Sequence, residues 1–433
     1  MCITSLQSEL LRLIEDKKET PVDERGKTHT FPDDLYLAGN SAFQEQFQRL
    51  SDELITLPKP PQKTYQEAYK ALYEQILLNL ARCVITRQWL CIAGSNQRRA
   101  DGSWKYAPHR CHIYKSEKLT QTVLGLLEHG NLIIKDQGAA YEKGTVENHY
   151  FPTKHLAVLL APFSPFVEEE IKPSSKYLKI NNPEAGYEDF KWHSDHQDLI
   201  DILTINEFAK NQSWTLKAPI RRTFNMNPFM VGRLLTPFQN LPSRDYNIRA
   251  NTLINGNKIA EVDFNANHLR LFLAFNGQPY TGDDPYMELV NMADVSRNEV
   301  KGFITVAMNC ENFTEAQGAA LSEHAVSNQV SSLIYAAFKK RFKGISLFKK
   351  ITNRVDKPFG VFAMNFEGVI LKNVMLEAIK KDIFTLPIHD AVACEAQHAE
   401  TIKHIMNIEW CKEVSKFDGI DKISTTTKIT LVQ

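Results

Sequence analysis

The chain has 433 residues, with 51 Lys+Arg against 51 Asp+Glu, so its formal net charge is zero. Hydrophobic residues make up 43% and charged residues 24%, an ordinary soluble globular balance that argues against a uniformly basic nucleic-acid binder. Length predicts roughly two to four domains with ample chain for a large core.

Residues 1–60 hold 7 basic and 11 acidic side chains and form an acidic helical arm. Glu9, Arg12, Glu15, Asp16, Lys17 and Lys18 leave no apolar core for a secretory signal. Leu6, Leu10, Leu13 and Ile14 are spaced for one face of a helix over Ser5 to Lys18. Gly26-Lys27-Thr28 lacks the earlier glycine of a phosphate loop. Leu57-Pro58-Lys59-Pro60-Pro61 reads as a stiff linker and a boundary. No apolar run approaches the roughly 20 residues that cross a bilayer. Cys2, Cys83, Cys91, Cys111, Cys310, Cys394 and Cys411 form an odd, scattered set, the usage of a reduced compartment. The expectation is a cytoplasmic protein without a membrane partner.

Residues 61–162 hold 13 basic and 8 acidic side chains, which suggests a local phosphate-contacting surface. The pattern predicts a helix over Tyr65 to Trp89 and a second over 117–128, with Ser116 as its cap. A β-branched strand, Asn131 to Lys135, and a polar hairpin returning at Val146 to Phe151 follow. Helix then hairpin resembles a winged helix of the plasmid replication-protein type. That resemblance implies that the 117–128 helix enters the major groove, where Lys115, Lys118 and Gln121 reach phosphates and base edges. The competing reading is an α+β module that touches protein. His109, Cys111 and His112, with Cys83 and Cys91, lack any CxxC knuckle and read as buried thiols and ordinary histidines.

Residues 163–433 form the third expected domain. Its His193-Ser194-Asp195-His196 stretch, with Asp198 and Asp201, has the composition of a metal cluster but sits where Asp and Ser cap helices. The chemistry begins after 218. Nucleotidyl transfer needs divalent metals held by carboxylates on rigid elements. Lys258 to Val262 is a strand running to Asp263, followed by a helix over Ala266 to Leu273. Phe384 to Ile388 is a second strand leading into His389-Asp390, then Ala391 to Cys394. The two aspartates lie 127 positions apart, room for an intervening helical subdomain.

Asp263-Phe-Asn-Ala-Asn-His268-Leu-Arg270 resembles motif A of the A-family DNA polymerases, and Leu386-Pro-Ile-His389-Asp390 resembles motif C. Gly232-Arg233-Leu234 with Phe238-Gln-Asn240-Leu-Pro-Ser-Arg244 is similar to the family's primer–template segment. Arg297 and Lys301 match the basic pair of the fingers helix, and Asn365-Phe-Glu367-Gly368 is similar to the opening of the helix before motif C. These stretches keep the family order over 220–395, about 40% of the chain.

The resemblance implies roles residue by residue. Asp263 and Asp390 hold two Mg²⁺ ions, or Mn²⁺. Arg297 and Lys301 clamp the triphosphate, while Arg233, Asn240 and Arg244 contact the duplex and His389 supports the primer-terminal phosphate. There are departures. His268 stands where the family has the glutamate that excludes a ribose 2′-hydroxyl, and Thr305 where it has an aromatic residue. Asn309 replaces the next tyrosine, Ala391 a Glu or Ser, and Glu367 a glutamine. Nothing in the first 160 residues resembles a 3′–5′ exonuclease.

The expected fold is α+β, a right-hand polymerase palm and fingers at 163–433 with a reduced thumb, preceded by the winged-helix-like domain. The expected function is template-directed DNA synthesis for a phage or mobile element, with primase activity and relaxed sugar choice. Partners would be a DNA primer–template, nucleoside triphosphates, and a small accessory protein or helicase. Two rivals are a non-catalytic replication initiator with a degenerate palm and a single-subunit RNA polymerase-like enzyme.

Overall fold

A computed structural model describes residues 3–16, 28–30, 35–57, 63–93, 117–140, 146–187, 190–243, 246–348, 359–417, 425 and 427–431. The chain is a mixture of helices and several small sheets, an α+β protein. It divides into two compact units. One comprises 1–172, 213–219 and 237–258, the other 173–212, 220–236 and 259–433.

The first unit is organised by the Lys63–Thr86 helix, whose Leu72, Ile76, Leu77, Leu80, Ala81 and Ile85 are completely buried. Apolar side chains on every face make it a central rather than a surface helix. Arg87 takes a left-handed backbone, φ 59°, and ends it two residues before the expected Trp89. Trp89 instead opens a strand, Trp89–Ala93, which pairs antiparallel with Val146–Pro152. The sheet runs Thr28–Thr30, Trp89–Ala93, Val146–Pro152, Ile133–Ala140. The second expected helix is Glu117–His129, and the left-handed Asn131, φ 54°, delays the following strand to Ile133. The Ile3–Asp16 helix buries Leu6, Leu10, Leu13 and Ile14. The proline-rich boundary at 58–61, Ser116 and the 109–112 histidines and cysteine lie outside the described residues.

In the second unit a three-stranded sheet sets Leu178–Asn181 parallel to Arg221–Asn225, with Arg233–Leu235 antiparallel beside it. His196 caps the Gln197–Lys210 helix, its Nδ1 accepting from the Asp198 amide at 3.2 Å. Asp198 pairs with buried Arg222 and with Lys372 (2.6 Å), and Lys372 reaches Asp201 at 2.6 Å. Asp198 and Asp201 are therefore neutralised by cations of the protein itself. Losing one partner of such a buried network strands a charge and costs about 3–5 kcal/mol.

The long Phe359–Ile379 helix crosses this unit. It is long and apolar enough by composition to span a membrane, which the sequence reading did not detect, but more than half of it is buried against the unit. It also carries Glu367 and Lys372, both paired. Phe272, Phe275, Phe359, Phe362, Phe366 and Phe417 pack ring to ring along it, with centroids 4.7–6.1 Å apart. Glu367-Gly368 falls mid-helix rather than at its opening.

Gly368 is where this helix meets the Gly232-Arg233 backbone. A Cβ built on Gly368 would lie 2.0 Å from the Gly232 carbonyl oxygen. Gly232 itself has φ 56°, and a Cβ there would meet the Asn365 amide at 2.5 Å. The Gly232 carbonyl also accepts from Arg222 Nε at 2.9 Å, tying this contact to the ion network. Gly368→Ala must push backbone from backbone, since no side chain can yield. Urea titration should show a loss of about 3 kcal/mol or more, at the upper end of overpacking costs. A loss under about 0.5 kcal/mol would mean that the helix does not seat there.

Candidate active site

The Asn257–Phe264 strand pairs antiparallel with Ala391–Glu395, and its register sets Asp263 opposite Ala391. Thr385–Ile388 pairs with the same strand, Ile388 opposite Ala391. His389 and Asp390 are thus the two residues of a tight hairpin turn. Cα atoms paired in this way sit about 4.5–5.5 Å apart, so the two aspartates share one end of the sheet. Asp263 lies inside its strand rather than after it. The helix that follows is Asn267–Phe275, capped by Ala266 and not by Asp263.

Two non-glycine residues in this site hold left-handed backbones. Ala266 has φ 55° and ψ 38°, and exposed His389 has φ 55°. Each costs about 1–2 kcal/mol relative to a right-handed residue. No side chain caps the Asn267–Phe275 helix.

The electrostatics follow from two like charges at one end of the sheet. Asp263 is exposed, with neighbouring protein close enough to restrict its hydration. That crowding, and then Asp390, push its carboxyl up to about 7, while Lys301 pulls it back. Burial and then Glu367 push Asp390 up to about 6. A pair of carboxylates that resist ionising together calls for a cation between them.

Lys301 and Arg297 lie on one face of the Arg297–Ala307 helix, which a Ser296–Glu299 capping box starts. Lys301 is exposed. Arg297 is not idle: its Nε donates to Asp284 at 2.7 Å, its Nη2 donates to Asn265 Oδ1 at 3.2 Å, and its guanidinium lies over the Tyr286 ring at 5.3 Å. Buried Arg270 donates to the carbonyls of Asn265 (2.9 Å), Tyr280 (3.1 Å) and Gly282 (2.7 Å), fixing the loop that leads to Asp284. Tyr286 is 2% exposed and its hydroxyl bonds to Thr305. Burial pushes that phenol up to about 12.

Below Asp390 lies Glu367, with its side chain 1% exposed. One oxygen takes Arg233 through Nε (3.1 Å) and a terminal nitrogen (3.0 Å). The other takes the Asn267 amide at 3.2 Å and faces His268 Nε2 at 3.2 Å. The His268 contact is an ion-pair distance but lies off the line of a hydrogen bond. Burial alone would keep Glu367 protonated, but His268 and Arg233 overcome it and hold the carboxyl down at about 2. Glu367 in turn raises His268 against its own burial.

Asp263, Asp390, His389, His268, Arg233, Arg297, Lys301 and Thr305 all belong to the second unit. Asn240 belongs to the first, where its side chain meets Gln88 at 3.5 Å. Arg244 and Lys115 lie outside the described residues, and of Lys118 only its place in the Glu117–His129 helix is described. Sequence reasoning noted Glu367 only as a departure and missed Asp284 and Tyr286. A glutamate inside an otherwise apolar helix was the available signal, because a buried charge demands partners.

Among the described residues no group of three or more His, Cys, Asp and Glu side chains could hold a metal ion. The two-carboxylate set still suits Mg²⁺, which keeps waters and is bound by one or two carboxylates together with substrate phosphates. The strand register that sets both carboxylates at one end of the sheet is the observation that favours a cation there.

Because the folded carboxyls stay protonated to a higher pH than unfolded ones, the metal-free fold loses stability as pH rises toward about 7. Asp390→Asn removes the share of that loss that comes from Asp390 and from its repulsion of Asp263. Melting of the metal-free variant at pH 8 should come a few degrees above wild type, and the gap should close by pH 5. A variant that melts lower at pH 8 would place Asp390 in an ordinary stabilising contact. Comparison with protein-family models gives no match to this chain, and comparison with curated proteins gives none.

Proposed function

We propose that this chain is a template-directed nucleotidyltransferase of the A-family polymerase type, extending a primer 3′-hydroxyl. The observation that carries the reading is the strand register that pairs Asp263 opposite Ala391, beside Asp390. When bound, Mg²⁺ or Mn²⁺ would activate the attacking hydroxyl and offset charge on the phosphates. Asp263 and Asp390 are the residues that would hold it.

The chain's own side chains do the rest of the work in this reading. Lys301 is exposed on the face that meets Asp263's charge, where an incoming triphosphate needs a cation. Arg297 first leaves Asp284, so phosphate binding exchanges one anion for another. Arg233, held by Glu367, supports the duplex near the reacting end. His389, on the hairpin turn, supports the primer-terminal phosphate. The palm, fingers and reduced thumb, the winged-helix character of 61–162, the priming activity and the mobile-element setting belong to the same proposal. So do an accessory protein or helicase as partner and a cytoplasmic location.

A second reading has specific support: a non-catalytic initiator whose palm has decayed. Arg297 is already satisfied by Asp284, and the aromatic and glutamate residues expected around the sugar are His268 and Thr305. The retained carboxylate pair weighs against it.

Purified full-length protein with primer–template, Mg²⁺ and nucleoside triphosphates separates the two. Asp263→Asn and Asp390→Asn should each reduce incorporation at least a thousandfold while duplex binding stays within about threefold. Either variant retaining more than a few per cent of wild-type activity would remove the metal assignment.

The Glu117–His129 helix carries its own test. Charge reversal at Lys115 and Lys118 should weaken duplex binding and flatten its dependence on salt, because each lost phosphate contact lowers the slope by about one. An unchanged slope would assign this module to protein contact.

A further inference from the structure

The chain carries no net charge, yet one stretch of the second unit is charged with a single sign. Between Glu323 and Asp356 the sequence holds seven Lys and Arg and no acidic residue. Of these, Lys339, Lys340, Arg341 and Lys343 are described, and all four are exposed at the end of the Asn328–Arg341 helix. A helix C-terminus favours cations in its last turn, but Lys343 lies beyond it. Arg341 is committed to the fold, paired with Glu288 of the Pro285–Ala293 helix. Lys339, Lys340 and Lys343 face solvent.

Beside these cations lies an aromatic run. Tyr335, one turn before Lys339, stacks on Phe313 with centroids 4.7 Å apart and planes 20° apart. Phe348 packs against Tyr335 at 5.4 Å, and Lys339 Nζ lies 4.6 Å over the Tyr335 ring. All three rings are only half-buried. Polar groups earlier on the same helix are engaged among themselves, Gln317 donating to Ser332 Oγ at 3.2 Å and to the Asn328 carbonyl at 3.0 Å. The surface therefore offers charge and rings rather than directional donors. Glu311 and Glu315, next to Phe313 in the chain, are exposed acids, so the attraction for an anion is strongest at the lysine end.

We propose that Phe313, Tyr335 and Phe348, with Lys339, Lys340 and Lys343, form a binding surface for a single-stranded polynucleotide. The proposal stands apart from nucleotidyl transfer, because none of these residues is assigned to that chemistry. A single strand presents both features that this surface matches, unpaired bases with open faces and phosphates along a backbone. A duplex keeps its base faces in its own stack, and a lipid surface supplies charge without a ring to stack. A base takes the Tyr335 face that Lys339 covers, and Lys339 turns to the adjoining phosphate. DNA and RNA share these features, so binding is indifferent to sequence and to sugar.

The test uses the full chain in EDTA, with fluorescein-labelled oligo(dT) and oligo(rU) of about 20 nucleotides followed by anisotropy across a salt series. Wild type should bind the two within about threefold of each other. Lys340→Glu with Lys343→Glu should weaken both at least tenfold and lower the salt slope by about 1.4, at about 0.7 per lost single-strand phosphate contact. Tyr335→Leu, which keeps bulk without a stacking face, should weaken both about tenfold at unchanged slope, while Tyr335→Phe should bind as wild type. Should Tyr335→Leu fail to fold, the exposed lysine pair decides alone. Unchanged affinity in the folded variants, or a preference above about tenfold for one sugar, would overturn the proposal. So would wild type that binds neither oligonucleotide, or binds phosphatidylserine vesicles in their place. Asp263→Asn should bind both strands as wild type does, and a loss there equal to that of the lysine pair would move the strand to the carboxylates. Each of these failures leaves nucleotidyl transfer standing, since that reading is tested by incorporation.

Discussion

The antiparallel register between Asn257–Phe264 and Ala391–Glu395 is the constraint on which the rest of the second unit depends. It brings two carboxylates, 127 positions apart in the chain, to one end of one sheet. A shift of one residue would turn Asp263 to the opposite face and dissolve the site. The register is well specified because Ile259, Ala260, Val262 and Phe264 are buried, as is every residue of Ala391–Glu395. Hydrophobic packing thus imposes a repulsion that the carboxylates by themselves would avoid. Such a conflict between local and global preference marks functional sites.

A second layer holds the surroundings of that pair. The Gly232–Gly368 contact lets a helix approach a strand end closely enough for Glu367 to grasp Arg233, and the same Gly232 carbonyl is anchored by Arg222. Arg222 is buried against Asp198, which Lys372 shares. The structural ion network and the candidate site therefore meet at one peptide carbonyl. Substitutions in the network are expected to act on Arg233 through backbone position rather than through charge.

Legibility in the sequence followed the range of the interactions concerned. Strands and helices with strong periodicity were readable, and so were Asp263 and Asp390, because a carboxylate at the end of an apolar strand is a local pattern. Where boundaries moved, a left-handed residue was responsible: Arg87 ends a helix before Trp89, and Asn131 delays a strand. Neither carries the glycine that usually announces such a backbone. The partners of Arg297 and His268 were illegible for a different reason. Asp284 and Glu367 reach them from other elements, and nothing in the local spacing of 263–270 or 297–301 encodes that. The acidic stretch at 193–201 was readable as capping, though the cap is His196 rather than an Asp or Ser, and its cation partners Arg222 and Lys372 were not readable.

The central claim is that Asp263 and Asp390 form one divalent-cation site completed by nucleotide phosphates. Crystals of the full chain soaked with Mn²⁺ and a non-hydrolysable nucleoside triphosphate test it directly through anomalous scattering. Manganese peaks between the Asp263 and Asp390 carboxylates, present with nucleotide and absent in Asp390→Asn crystals, are the expected result. Nucleotide density without manganese at those carboxylates, or manganese bound elsewhere in the chain alone, would contradict it.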